Sequence, residues 1–387
     1  MSEMHCRGDA ALNASTSRSS PLILYTLRGL RNCWMPEHGR WSYIYHLDRR
    51  AQPNQSVPRS DVFYSLNVLL GFSRIAHLDV DHEFDIPKIF YENVSLVPKL
   101  DSPKYAYGMA LWAAAELDLD VPPKTLAALT SFIEDRRKWK TFRAQDLGMI
   151  LIGCVQQARR ASGGRWSSTA RELFAFLSEH YICPSGLFLD AAMGGRGRFS
   201  SFATNTYLTL GCYIYGEWTG DKRALALAQA CTRKLIELQG SHGEWPWFFY
   251  TPGGRAVDFY EVYSVHQAGM APAFLQHAEQ HGVPGATDAL VKGFKWIFGQ
   301  NQMNRSMLWK REGLICRSQV RKCELNTNRK RAIRAIANAL TGRSATLTDP
   351  FRLELRLECR SYELGWILWS FGRRRDLTEI QHHADLL

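Results

Sequence analysis

The chain has 387 residues, 45% hydrophobic and 12% aromatic, which is enough to bury a large core and excludes a disordered or low-complexity polypeptide. Its 48 Lys and Arg against 37 Asp and Glu leave a formal charge of +11, which admits an acidic partner, while no apolar run approaches the roughly 20 residues of a spanning helix. Nine scattered cysteines do not make the dense pattern of a stapled secreted domain, and Cys316 and Cys323 lack histidines at ligand spacing, so reduced thiols are expected and no metal or other cofactor is called for.

In chain order, residues 1–20 are small and polar without a basic start leading into an apolar stretch, which reads as a disordered N-terminus of a cytoplasmic protein. From residue 21 onward an aromatic-rich helical segment with small residues on one face recurs. It begins at Asp61, Tyr105, Arg143, Phe202, Phe259 and Tyr362, with spacings of 44, 38, 59, 57 and 103 residues, close to what a helical hairpin with its loops requires. Amphipathic segments alternate with these, among them PPKTLAALTSFIED and DKRALALAQACTRKLIELQ, with apolar residues at three- and four-residue steps. The first type reads as an inner ring and the second as an outer ring. Strand signals are poor, so the expectation is an all-α fold, an (α/α)6 toroid over residues 21–387 with a basic insertion at about 303–350. An open superhelical array is the rival architecture.

At Gln239 the sequence reads QGSHGEWPW, and Gln239, Gly243 and Trp245 resemble the Q-x-x-x-G-x-W signature of terpenoid cyclases of the squalene-hopene type, where it clamps helix ends together. The acidic D-x-D-D motif of those enzymes is absent, which makes a terpenoid- or prenyl-handling protein the third choice of function. The longer stretch GEWPWFFYTPGGRAVDFYEVYSVHQAGMAPAF resembles the six-hairpin glycosidase and polysaccharide-lyase superfamily and helical proteins of bacterial exopolysaccharide biosynthesis. That resemblance implies an α/α toroid with a glycan ligand and chemistry of the lyase, epimerase or glycosidase kind.

Candidate catalytic residues cluster here. A helix over Phe259–His277 places Tyr263, His266 and Gln267 on one face with Tyr260 a turn earlier, and a Tyr/His pair can move a proton beside a sugar carboxylate. Asp258 and Glu261 have the spacing of a capping box, or one of them joins Glu244 as a glycosidase carboxylate pair. Asp146 sits in an inner segment where a carboxylate must be paired or wet; Arg143 is its expected salt-bridge partner, with a catalytic acid facing the cavity as the alternative. Asn205 and Tyr207 are candidates to bind a uronate. Trp245 and Trp247 lie in a Pro- and Gly-containing loop whose rings either stack on sugar or pack the hairpin.

The segment from Arg305 to Arg334 holds ten Lys and Arg against Glu312 and Glu324. It reads as a solvated surface insertion or as a platform for an anionic glycan or a peripheral anionic membrane contact. No nucleic acid is expected, and the absence of phosphate-loop, nucleophile-elbow and H-E-x-x-H patterns leaves nucleotide hydrolysis, α/β-hydrolase and zinc-peptidase chemistry without support. The expected function is thus a carbohydrate-active protein of polysaccharide biosynthesis or modification acting on a glycan, with a non-catalytic glycan-binding or assembly scaffold as the alternative.

Overall fold

The computed structural model describes residues 19–161, 164–324 and 328–387. The first eighteen residues, the bulk of the expected disordered terminus, lie outside these; Ser20 already caps the first helix through its side chain. The helices follow the expected alternation. Six are outer: α1 (Pro21–Cys33), α3 (Ile86–Val94), α5 (Pro123–Ile133), α7 (Arg165–His180), α9 (Lys222–Leu238) and α11 (Ala286–Ile297). Six are inner: α2 (Pro58–Ser73), α4 (Tyr105–Glu116), α6 (Ala144–Ala161), α8 (Phe202–Thr219), α10 (Ala271–Gln280) and α13 (Ser361–Phe371).

The two classes differ because their faces do. In α9 the buried residues are Ala224, Ala228, Cys231, Thr232 and Leu235, one stripe at helical spacing, with Asp221 capping the first turn through its carboxylate. In α8 every residue from Thr204 to Gly216 is buried, as expected for a helix packed on all sides. The inner helices pack in sequence, α2 on α4, α4 on α6, α6 on α8, α8 on α10, α10 on α13, and α13 back on α2. The ring therefore closes, which excludes the open array.

Close approach between inner helices depends on glycine. A Cβ on Gly108 would meet the Met149 carbonyl carbon at 2.4 Å, and one on Gly153 would meet the Gly108 carbonyl oxygen at 2.4 Å. The same pairs fix direction: Gly108 lies against Met149, and Leu111, a turn later, against Gly153, so α4 and α6 run parallel. Likewise Gly148 meets Tyr207 and Gly211 meets Leu151, and Gly365 meets Asn67 while Leu368 meets Gly71. The inner helices thus present their N-termini to one end of the ring.

The Q-x-x-x-G-x-W segment acts as the expected clamp. Gln239 Nε2 donates to the carbonyls of Gly243 and Ala289, both at 2.9 Å, tying the end of α9 to α11, and Gly243 takes φ +91° against the Lys292 carbonyl.

Two elements differ from the reading of the sequence. The helix expected over Phe259–His277 is broken: Arg255–Asp258 is a strand paired with Phe248–Tyr250, Val262–Tyr263 is a strand paired with Ser318–Gln319, and a π-helical turn (His266–Met270) precedes α10. Val257, Val262 and Tyr263 are β-branched or aromatic and follow strand pairing where helical periodicity alone suggested otherwise, with Phe259 and Tyr260 in the link between the two strands. The basic stretch also carries more order than a solvated loop. Ser318–Arg321 forms the centre of a three-stranded sheet between Val262–Tyr263 and Leu353–Arg356, and a further helix, α12 (Asn328–Leu340), lies beside it.

Candidate active site

The N-terminal turns of the inner helices gather a group of phenols. Tyr64 and Tyr362 approach to 4.4 Å between ring centroids, Tyr43 lies 5.0 Å from Tyr64, and Phe63 bridges to Tyr105 at 4.4 Å. Burial raises the phenol pKa of Tyr64, Tyr105, Tyr207 and Tyr362, and each is raised further by a neighbour's charge: Tyr105 by Asp146, Tyr207 by Tyr105, Tyr362 by Tyr207, Tyr64 by Tyr362. These side chains are therefore electrostatic neighbours around one end of the ring.

Cations join them. The Arg317 guanidinium lies 5.4 Å from the Tyr263 ring centre and its Nη1 is 2.5 Å from Glu358 Oε1, while Arg360 stacks over Tyr43 at 4.0 Å and reaches Glu358 at 3.0 Å. Burial opposes the Glu358 charge, but these two arginines hold its pKa below the usual range. Burial likewise opposes the Arg317 charge, and Tyr263, Glu261 and Glu358 outweigh it and keep the guanidinium firmly charged.

Asp146 stands on this rim, in the first turn of α6. The expected salt bridge to Arg143 does not form. Asp146 Oδ2 instead accepts the Arg143 backbone N–H at 3.1 Å, half of a capping box, and the Arg143 side chain is left exposed. Burial raises the Asp146 pKa to about 6, against the lowering effects of that hydrogen bond and of Arg143 and Lys104, with the Asp190 charge adding to the rise. Asp190 is itself held by Thr204 Oγ1 at 2.5 Å and Arg196 Nε at 2.6 Å. The arrangement is a protonatable carboxyl beside an ion-paired one.

The other candidates are placed differently. Asp258 and Glu261 cap no helix. Asp258 makes a two-pronged ion pair with Arg321 at 2.7 and 3.2 Å, and Glu261, 1% exposed, is held by Arg331 at 2.9 Å, Arg356 at 3.0 Å and the Ser318 hydroxyl. Two of the supposed solvated cations of the insertion, Arg321 and Arg331, thus turn inward. Glu244 is sealed: Oε2 accepts the His242 N–H at 3.0 Å within its own turn, and burial raises its pKa. It does not face Asp258 or Glu261 across an open cleft as a glycosidase pair would. Tyr260 is fully buried under Arg321, its hydroxyl accepting the Thr348 N–H.

Tyr263 and His266 do adjoin, with ring centres 5.1 Å apart, and Arg331 donates to the Tyr263 hydroxyl at 3.4 Å. Burial, with a smaller push from Arg317, lowers the His266 pKa to about 3, and its Nδ1 finds no hydrogen-bond partner among the described residues. The imidazole is neutral and only weakly basic. Gln267 is buried and donates to the Tyr263 carbonyl at 3.2 Å.

Asn205 is spent on structure, accepting the Phe188 N–H at 2.9 Å and donating to Ser200 and Ser201, so a uronate-binding role has no free group to use. Tyr207, by contrast, is on the rim. Trp245 is fully buried between Phe202 and Phe274 and stacks on no solvent-facing surface, whereas Trp247 is partly exposed, stacked on Phe248 at 4.7 Å with the Arg331 guanidinium 5.6 Å from its ring.

Among the described residues, no three His, Cys, Asp or Glu side chains gather closely enough to hold a metal ion. A cavity of about 720 Å³ on the outer wall, lined by Glu134, Arg136, Arg165 and Glu172 between α5 and α7, is a charged groove that contains none of the rim residues.

The rim residues missed in the sequence are Tyr43, Tyr64, Tyr105, Tyr362, Arg317, Arg360, Glu358 and Asp190. Some carried a signal. Tyr105 and Tyr362 each lie three residues before the inner-helix glycines Gly108 and Gly365, as the already-named His266 does before Gly269 of the π-helical turn and Tyr207 does four before Gly211, which puts them one turn toward the N-terminus on related faces.

No family model matches the chain, and no curated protein matches it. Solved structures do. An unsaturated glucuronyl hydrolase specific for heparin superposes with a TM-score of 0.59 at 11% identity, covering 93% of this chain and 98% of its own. Cellobiose 2-epimerase from Bacillus thermoamylovorans gives 0.60 at 8% identity, covering 91% and 99%. The fold is the six-hairpin α/α toroid. A polysaccharide lyase adds a third match, at a TM-score of 0.52 and 10% identity over 91% of this chain and 96% of its own. In this toroid the N-terminal end of the inner ring carries the phenols, Asp146 and the two arginines, and the strands and α12 of the basic segment lie over one side of it.

Proposed function

We propose that the protein acts on a uronic-acid-containing oligosaccharide bound across the N-terminal end of the inner ring, with Asp146 as general acid for cleavage of a glycosidic bond. The observation that carries this reading is the Asp146 carboxyl, held near pKa 6 on a rim that also presents charged Arg317 and Arg360. A carboxylic acid poised there can give its proton to a leaving oxygen near neutral pH, and a guanidinium pairs two-pronged with a sugar carboxylate. Tyr43, Tyr105 and Tyr362, half-buried, supply ring faces and hydroxyls for the sugar. Asp190 stands as the second carboxylate. The likeness to a glucuronyl hydrolase, an epimerase and a lyase supports the reading of a carbohydrate ligand and a place in polysaccharide modification. Epimerase chemistry through the Tyr263/His266 pair is less well supported, because an imidazole with a pKa near 3 is a poor base.

The test is turnover of uronyl oligosaccharides followed by reducing-end release and by absorbance of unsaturated products. Asp146→Asn is expected to lower kcat at least 100-fold with little change in affinity, and Arg317→Ala to weaken binding. A second reading, a glycan-binding scaffold without catalysis, is favoured by one fact: Glu244, Asp258 and Glu261 are all committed to structural contacts. Binding without turnover by the wild type, unchanged in Asp146→Asn, would establish it.

A further inference from the structure

Helix α12 is docked the wrong way round for a globular surface. Its polar face meets the protein: Arg331 pairs with Glu261 at 2.9 Å, Arg334 with Glu324 at 2.6 Å, and Asn338 Nδ2 donates to the Val257 carbonyl at 2.9 Å. Its apolar face meets solvent. Ile333, Ile336 and Leu340 recur at three- and four-residue steps on the side opposite Arg331 and Ala335, with exposures of 67%, 48% and 81%. A helix that spends its cations on the body and leaves its aliphatic stripe wet gains nothing from that stripe unless something covers it.

The surroundings extend the surface. Phe351 is 87% exposed, and it shares with Leu347 and Arg334 a groove of about 510 Å³. Arg329, Lys330, Arg343 and Arg352 are exposed around these apolar residues, with Asp349 as the exposed acid of the segment. The composite is an aliphatic and aromatic wedge in a cationic rim.

We propose that α12 and the Phe351 turn form a docking surface for an anionic lipid bilayer, with Ile333, Ile336, Leu340 and Phe351 entering the headgroup–acyl boundary and the surrounding cations pairing with phosphates. The charge decides the occupant. A second copy of this chain would bring the same positive rim against itself, which like-charge repulsion opposes, and a nucleic acid has no use for an aliphatic stripe. Anionic lipid satisfies both halves at once. No described helix is long and apolar enough to cross a membrane, so the contact is peripheral. The inference stands apart from the glycan reading, since these residues are not the rim residues.

Co-sedimentation of the full chain with vesicles of phosphatidylcholine, alone or with about a third phosphatidylglycerol, tests it. The expected result is binding to the anionic vesicles, little to the neutral ones, and at least a tenfold drop in partitioning for Ile333→Glu/Leu340→Glu with an unchanged melting temperature. A separate variant, Arg329→Glu/Lys330→Glu, is expected to lose binding in parallel with the effect of raising salt from about 0.1 to 0.5 M. Equal binding to neutral vesicles, or full binding by Ile333→Glu/Leu340→Glu, overturns the proposal. So does a dimer in analytical ultracentrifugation that this variant dissolves, which would give the face to a second copy.

Discussion

Asp146 and His266 show how one physical cause, burial, acts oppositely on an acid and a base. Asp146 is raised to about 6, so between pH 4 and 6 the folded chain binds more protons than the unfolded one, and stability falls as pH rises through that window. Asn keeps an acceptor for the Arg143 N–H without the charge. Asp146→Asn is therefore expected to be more stable than wild type at pH 7 by about 1–3 kcal/mol, with the difference vanishing toward pH 4, as chemical denaturation at several pH values would measure. His266 is lowered to about 3, so the unfolded chain binds the extra proton and stability is lost as pH falls below the unfolded value of about 6.5. His266→Gln should flatten that acid limb, visible in melting temperatures between pH 7 and pH 4. Trp245, fully buried, should behave as core: Trp245→Ala is expected to cost about 3–5 kcal/mol and to leave the affinity of the remaining folded protein for glycan intact.

At the scale of elements, the helices were legible because each buries a face with its own period: the stripe of α9 and the all-round apolarity of α8 both stand in the sequence. The strands around Asp258–Tyr263 and Ser318–Arg321 were not, because they are two to four residues long and pair with partners far along the chain, such as Val262 with Gln319. That blind spot carried into the site. The Asp258/Glu261 spacing fits a helix cap, and only the long-range ion pairs to Arg321, Arg331 and Arg356 show where those carboxylates go. Cutting one partner from such a buried pair leaves its mate uncompensated, so Asp258→Ala is expected to cost about 3–5 kcal/mol in denaturant unfolding. Helix contact gives a second test. Gly108→Ala adds a Cβ 2.4 Å from the Met149 carbonyl carbon, and forcing α4 from α6 is expected to cost about 1–3 kcal/mol.

For the whole molecule, the recurrence of six inner segments carried the toroid, and the closing contact between α13 and α2 completes it. What the sequence could not carry is which residues meet at the rim, since Tyr43, Asp146, Arg317 and Arg360 come from four separate parts of the chain and share no motif. The parallel inner ring brings their neighbourhoods together, and the same geometry turns partial positive helix ends toward that rim. The most direct measurement is calorimetric titration of the wild type and Arg317→Ala with uronic-acid-containing oligosaccharides, each paired with its neutral counterpart. The acidic sugar is expected to bind at least tenfold more tightly than the neutral one, with that preference lost in Arg317→Ala. Equal affinity for the two sugars, or a preference that survives removal of Arg317, would contradict it.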